Sequence, residues 1–132
     1  MGLTGMRVLV LEDEYLIGLD LERIADECGA KSVHLTATIG DLQAWIDSNV
    51  ECDIAILEVQ ARGVSSLGAA EILRQRGIPI IFTTAYDLDR GGIPEFPGVP
   101  VVGKPYGKSH ILQAAARAFG SVETRPASRN SD

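Results

Sequence analysis

Four short apolar runs divide the chain, and each ends on residues that have chemistry to offer. Val8-Leu9-Val10-Leu11 runs into Glu12-Asp13-Glu14, and Asp53-Ile54-Ala55-Ile56-Leu57 into Glu58. Ile78-Pro79-Ile80-Ile81-Phe82 runs into Thr83-Thr84-Ala85, and Val99-Pro100-Val101-Val102 into Gly103-Lys104-Pro105. Continuous apolar runs of this length, bounded by polar or turn residues, suit strands buried on both faces. Lys31 to Thr36 alternates instead, Val33 and Leu35 one way and His34 the other, which suits a partly exposed strand. Between these runs the spacing turns helical. Ile17, Leu21, Ile24 and Cys28 share one helix face, with Gly29 at the stop position. Asp41 is placed to cap a short helix carrying Leu42, Trp45 and Ile46, which Ser48-Asn49 ends. Ser65 or Ser66 opens a third helix with Ala69, Ile72 and Leu73 inward, and Gly77 closes it before Pro79 begins the next strand. A final helix from about Ser109 buries Ile111, Leu112, Ala115, Ala116 and Phe119 and stops at Gly120.

The strand-helix alternation breaks once, at Asp87 to Gly98, where Gly91, Gly92, Pro94 and Pro97 occupy the place of a fourth helix. A loop or one short turn is expected there. Pro100 cannot donate to a central ladder, so the last strand belongs at a sheet edge. Regular β-α alternation implies a parallel sheet with helices on both faces and right-handed crossovers. The order 2-1-3-4-5 sets strands one and three side by side and leaves the proline-containing strand at the rim. Residues 1–5 read as a leader, 6–120 as one α/β domain and 121–132 as a flexible tail.

Composition narrows the class of partner more than the fold. The 132 residues are 45% hydrophobic and 23% charged, which is ordinary for one globular domain and excludes disorder of the whole chain. Twelve basic against eighteen acidic residues give a net charge of −6, so nucleic acid and anionic membrane surfaces are disfavoured as main partners. No apolar run approaches the roughly 18 residues of a membrane span, and a signal-peptide pattern is missing, so a cytoplasmic protein is expected. Cys28 and Cys52 sit beside apolar segments in no ligand-like spacing and read as buried free thiols. His34, Trp45 and His110 likewise have no partners at ligand spacing.

In open α/β sheets sites form at the carboxyl ends of the strands, which converges Glu12, Asp13, Glu58, Thr84 and Lys104 on one pocket. Clustered carboxylates repel one another, and a hard oxygen-seeking cation removes that cost. Magnesium, weakly held by Glu12, Asp13 and Glu58, is the natural guest. With Lys104 as a second positive charge and Thr84 as a donor, such a pocket suits the oxygens of a phosphoryl group. The plainer readings are that Glu12 to Glu14 complement the dipole of the first helix, and that Glu58 only pairs with Lys104.

An acidic pair after strand one, an acid after strand three, Thr84-Ala85 after strand four and Lys104-Pro105 after strand five resemble the receiver domain of two-component response regulators. The likeness covers roughly residues 6 to 120. It implies a flavodoxin-like (βα)5 receiver fold with a degenerate fourth helix, magnesium on Glu12 and Asp13, Thr84 as the switch hydroxyl and Lys104 pairing with the phosphoryl group. It also implies a cis peptide before Pro105. The run Phe82-Thr83-Thr84-Ala85-Tyr86 is similar to a subgroup of stand-alone bacterial receivers. Two positions depart from the pattern. Glu58 stands where the family carries its phospho-accepting aspartate, which moves the carboxylate by roughly 1.5 Å, one carbon-carbon bond. Val101 stands where the family usually has an aromatic, for which Tyr86 is the nearest substitute.

The resemblance implies signalling rather than enzymatic function: a response regulator in a phosphorelay, fed by a sensor histidine kinase or phosphotransfer protein and acting on a downstream protein. The alternative is a phosphorylation-independent binding module in which Glu58 is a permanent phosphomimic. A homodimer through the last strand and final helix is a further expectation, since the missing fourth helix leaves that side less covered. A flavodoxin-like enzyme or nucleotide-binding domain is disfavoured, because no glycine-rich phosphate cradle follows strands one or three.

Overall fold

In chain order the elements are β1 (Arg7–Leu11), α1 (Tyr15–Glu27), β2 (Ser32–Thr36), α2 (Ile39–Asp47), β3 (Ile54–Glu58), β4 (Gln60–Ala61), β5 (Val64–Ser65), α3 (Leu67–Gln75), β6 (Ile80–Thr84), β7 (Val101–Gly103) and α4 (Lys108–Thr124). They are drawn from a computed structural model that describes residues 2–85 and 92–124, with side chains described through residue 120. Five strands form one parallel sheet of order β2-β1-β3-β6-β7, the 2-1-3-4-5 arrangement expected of the apolar runs. Pro100 precedes the edge strand β7 and keeps its carbonyl in the ladder, accepting from Phe82 N at 2.9 Å. The antiparallel hairpin β4-β5 is an addition that the apolar pattern did not announce.

Because side chains alternate across a strand, the sheet sorts its residues into two cores. Val8, Val10, Ile54, Ile56, Ile81 and Val102 meet Leu21, Ile24 and Ala25 of α1 and Ile111, Ala114, Ala115 and Ala118 of α4. On the other face Leu9, Leu11, Ala55, Leu57, Ile80 and Phe82 meet Leu42 and Ile46 of α2 and Ala69, Ala70 and Leu73 of α3. β3 and β6 are buried along their whole length, which is why they read as unbroken apolar runs. Ile93 and Phe96 fill the second core where a fourth helix was missing from the sequence pattern. Residues 92–100 are turns and irregular chain, and the first part of that break, 86–91, lies outside the described residues.

Several expectations are corrected. The cap of α2 is Thr38, whose Oγ1 accepts from Asp41 N at 3.0 Å, so Asp41 stands in the first turn. In α4 the inward alanines are Ala114, Ala115 and Ala118, while Ala116 faces solvent, because the helix begins at Lys108 and its apolar stripe follows from Ile111. That helix also runs through Gly120 to Thr124, into what reads as tail; the remainder, 125–132, lies outside the described residues. Residues 2–5 are more than a leader. Leu3 is fully buried in the core between α1 and α4, its N–H donates to Cys28 O at 3.2 Å, and Gly5 N donates to Gly29 O at 2.9 Å. Gly29 has φ +94°, and a Cβ there would lie 2.9 Å from Thr4 Oγ1, so glycine both ends α1 and admits this segment.

Removing the Leu3 side chain should therefore cost what a core leucine costs. Leu3→Ala is expected to lower the unfolding free energy by about 2 to 5 kcal/mol in urea titrations. A loss within the surface range of about 0.5 kcal/mol would show that the segment is not packed.

Candidate functional site

The same alternation that builds the core facing α1 and α4 carries four polar residues to its upper end. Val8 and Val10 lead to Glu12, Ile54 and Ile56 to Glu58, Ile81 to Thr83, and Val102 to Lys104, each two residues further along. Glu12 lies just past β1, and its backbone N–H donates to Thr36 O at 3.0 Å, which holds the chain in line with the sheet. The Lys104 Nζ lies 2.8 Å from Glu58 Oε2, 2.9 Å from Glu12 Oε1 and 3.1 Å from Glu12 Oε2. Their side chains are 0 to 11% exposed, so this is a buried ion triad. Asp13 joins from the following turn. Its N–H donates to Glu58 Oε1 at 3.3 Å, and its Oδ2 accepts from Arg62 N at 2.8 Å. Arg62, in the β4-β5 turn, has φ 54°, and Gly63 after it has φ 77°. This left-handed pair aims the Arg62 N–H at Asp13.

Charge does not balance in this pocket. Three carboxylates face one ammonium, a formal excess of two negative charges if all are ionised. Burial, with the charge of Glu12 behind it, pushes the Glu58 carboxyl up to about 7 against the pull of the Lys104 bond. Burial works against the Lys104 ammonium too, but its bonds to Glu58 and Glu12 outweigh that and hold its pKa above the ordinary value. For Asp13 partial burial is outweighed by the Arg62 N–H and by bonds within the cluster, which hold the carboxyl below the usual range. One oxygen each from Glu12, Asp13 and Glu58 lies within 4.8 Å of the others, a spacing that can hold a metal ion. Glu12 Oε1 is wholly buried and has the Lys104 ammonium at 2.9 Å as its close partner.

Of the residues the sequence pointed to, Glu12, Asp13, Glu58 and Lys104 come together directly. Thr84 is buried at the same end of β6, and its carbonyl accepts from Lys104 N at 2.8 Å. Strand alternation sets it in line with Ile80 and Phe82, on the opposite face from Glu58. Thr83, two residues after Ile81, is the register partner of Glu58 and is not among the residues the sequence pattern singles out. The Arg62 N–H is not legible in the sequence either, because Ala61-Arg62-Gly63 marks a turn but not its direction. Lys104-Pro105 is a cis peptide. Val101 is half-buried against the face of α2 and α3, and Tyr86 lies outside the described residues. The other singled-out residues lie away from the pocket: His34 packs on Trp45 with ring centroids 5.4 Å apart, and His110 Nδ1 accepts from Gly107 N. Cys28 and Cys52 are buried free thiols, and burial pushes Cys52 up to about 11.

The raised carboxyl of Glu58 fixes the sign of a pH dependence. A group whose pKa rises on folding contributes stability that is complete below its unfolded value, near 4.5, and is lost as pH climbs through about 7. Cation-free protein should therefore lose stability relative to Glu58→Gln between those limits, measured as the difference in chemical unfolding at matched pH. A difference that stays flat across the window would mean that Glu58 is ionised at its ordinary value.

No protein-family model matches the chain, and no curated protein is significantly similar in sequence. Solved structures are similar over most of its length. SdrG from Sphingomonas melonis Fr1 is 30% identical, with 90% of this chain and 98% of that one covered at a TM-score of 0.72. The PhyR response regulator REC domain of Erythrobacter litoralis is 26% identical, covering 91% and 94% at 0.71. TrrA, a response regulator protein from Thermotoga maritima solved in complex with Mg2+-BeF, shares the fold at 23% identity, covering 85% and 97% at 0.72. A five-stranded parallel sheet of this order, an acid and lysine cluster at its carboxyl edge and these likenesses have one reading: the chain belongs to the response regulator receiver domain family.

Proposed function

We propose that this receiver serves two-component phosphorelay signalling with Glu58 at the phospho-acceptor position, where it acts as a built-in, partial mimic of the phosphorylated state. The observation that carries this reading is the 2.8 Å contact between Lys104 Nζ and Glu58 Oε2. A carboxylate one bond longer than aspartate already engages the cation that a phosphoryl group would engage. The mimicry is incomplete, because a carboxylate carries one charge and two oxygens against about −1.5 to −2 and three free oxygens for a phosphoryl group. Fewer donors are satisfied, and the shift toward the active state is smaller.

Glu12, Asp13 and Glu58 would hold magnesium, a cation that TrrA binds together with BeF. When bound, that ion supplies the positive charge the cluster lacks and a Lewis acid for phosphoryl oxygens. Lys104 neutralises the carboxylate at position 58, Arg62 N–H orients Asp13, and Thr84 is the donor assigned by resemblance to the family. The role is that of a signalling module, with a sensor histidine kinase or phosphotransfer protein upstream and a protein target downstream. No helix among the described residues is long and apolar enough to cross a membrane. Self-association across β7 and α4 belongs to the same proposal, and Arg117→Glu on the exposed side of α4 should then weaken it in solution scattering without unfolding the domain.

The acceptor reading is tested by phosphodonor labelling in millimolar magnesium. Glu58→Asp should label with acetyl phosphate while the parent does not, and partner affinity should drop in unlabelled Glu58→Asp and recover on labelling. Rapid stoichiometric labelling of the parent at Glu58 would sink the mimic and leave an ordinary acceptor.

A further inference from the structure

The sheet has two edges, and the chain treats them differently. Pro100 stands before β7, whereas β2 runs Ser32-Val33-His34-Leu35-Thr36 with no proline, lysine or acid inside it. Among the described residues β2 pairs with β1 alone. Ser32 N donates to Met6 O at 3.4 Å and Thr36 O accepts from Glu12 N at 3.0 Å, so Ser32, His34 and Thr36 turn their backbone groups toward β1. The N–H and C=O of Val33 and Leu35, which alternate with them, point out of the sheet. An edge left open in this way is a template for another strand.

The symmetry of the edge selects its occupant. Two outward-facing residues on either side of His34 match the same two on an antiparallel copy. Val33 then lies opposite the partner's Leu35, and each such pair exchanges both of its hydrogen bonds. Val33 and Leu35 are half-buried against the core on the α1 side, so this pairing sets apolar on apolar. On the α2 side His34 faces the partner's His34, beside Trp45, whose ring centroid is 5.4 Å away. Grooves of about 240 and 460 Å³ flank the two rings, one lined by Ser32 and the exposed Val50, the other by Thr36 and Asp41, and they leave room for a second set of side chains. Charge agrees as well. Lys31, exposed at the amino end of β2, falls opposite the partner's Ala37, next to the turn where Thr38 caps α2 and Asp41 is exposed, so a cation of each copy approaches an acid of the other. A two-fold contact requires one patch to complement itself, and this patch does so in bonds, apolar residues and charge. We propose that the β2 edge is a self-association surface, on which a second copy of this chain adds antiparallel about His34 and continues the sheet. It does not depend on the receiver reading, and it lies at the opposite edge from β7 and α4.

His34→Cys tests the register directly. Position 34 faces itself in a non-hydrogen-bonded pair, where Cα atoms lie about 4.5 Å apart, within reach of a disulfide. Oxidised glutathione should link this variant into a covalent dimer on non-reducing gels. Ser32→Cys, also exposed but opposite the partner's Thr36, should link far more slowly, and the parent, with Cys28 and Cys52 buried, should not link. Val33→Pro removes an outward N–H and no bond to β1. It should abolish the concentration-dependent rise in mass seen by light scattering, and with it the change in emission of Trp45, the one tryptophan of the chain. Should proline unfold the strand, Lys31→Glu gives the same loss, and adding Asp41→Lys to it should restore association. Arg117→Glu carried throughout keeps the β7 and α4 surface out of the readout. Equal cross-linking of His34→Cys and Ser32→Cys, or undiminished association in folded Val33→Pro, overturns the proposal. So does a parent that stays monomeric while its Val33 and Leu35 amides resist hydrogen exchange, since a different strand then covers the edge.

Discussion

Lys104 reaches from the edge of the sheet to its middle. Its ammonium sits within 3 Å of oxygens from Glu12 and Glu58, so one side chain draws together the ends of β1, β3 and β7 across β6. Removing charges from water costs several kcal/mol per ion, and well-packed apolar residues at these positions would hold the sheet at least as well. The triad is therefore poor economy as a fastening. Its sense lies in what it presents: a fixed cation, a longer-than-usual carboxylate and an uncompensated negative field at the carboxyl edge of the sheet.

That field is confined to one face. The core under α2 and α3 ends on neutral groups, the buried Thr84 and Phe96, whose ring meets Phe82 edge-on at 5.2 Å and lies under the Arg74 guanidinium at 4.6 Å. The core under α1 and α4 instead ends in Glu12, Glu58, Thr83 and Lys104. A change of charge in the pocket thus acts on α1 and α4 more directly than on the opposite pair of helices. The two layers of one sheet are electrostatically unequal although their apolar composition is alike.

Most of this was legible from the chain, for physical reasons that differ by element. Fully buried strands must be apolar throughout, so β1, β3 and β6 announced themselves, and with them the convergence of Glu12, Glu58 and Lys104. Pro100 marked the edge because a missing N–H has a single consequence. What escaped depended on direction rather than type. Thr83 and Thr84 are adjacent and chemically identical, and only the register with Glu58 shows which one shares its face. The Arg62 N–H points at Asp13 through two left-handed residues, of which only Gly63 hinted at the turn. Thr38 beat Asp41 as a cap by three positions, a margin that spacing alone does not resolve. Leu3 escaped because a single apolar residue before a strand has no period to reveal it.

The placement of β1 carries a mechanical meaning. It is flanked on both sides by parallel partners, β2 and β3, with residues Arg7 to Leu11 in register with one and Val8 to Leu11 with the other. A load drawn along this strand meets both ladders in shear and must break their hydrogen bonds together. β7 has a partner on one side only, and a load across it would unzip the bonds one after another. The domain is thus stiff along β1, an interior strand whose end leads to Glu12, and more compliant at the edge strand that leads to Lys104.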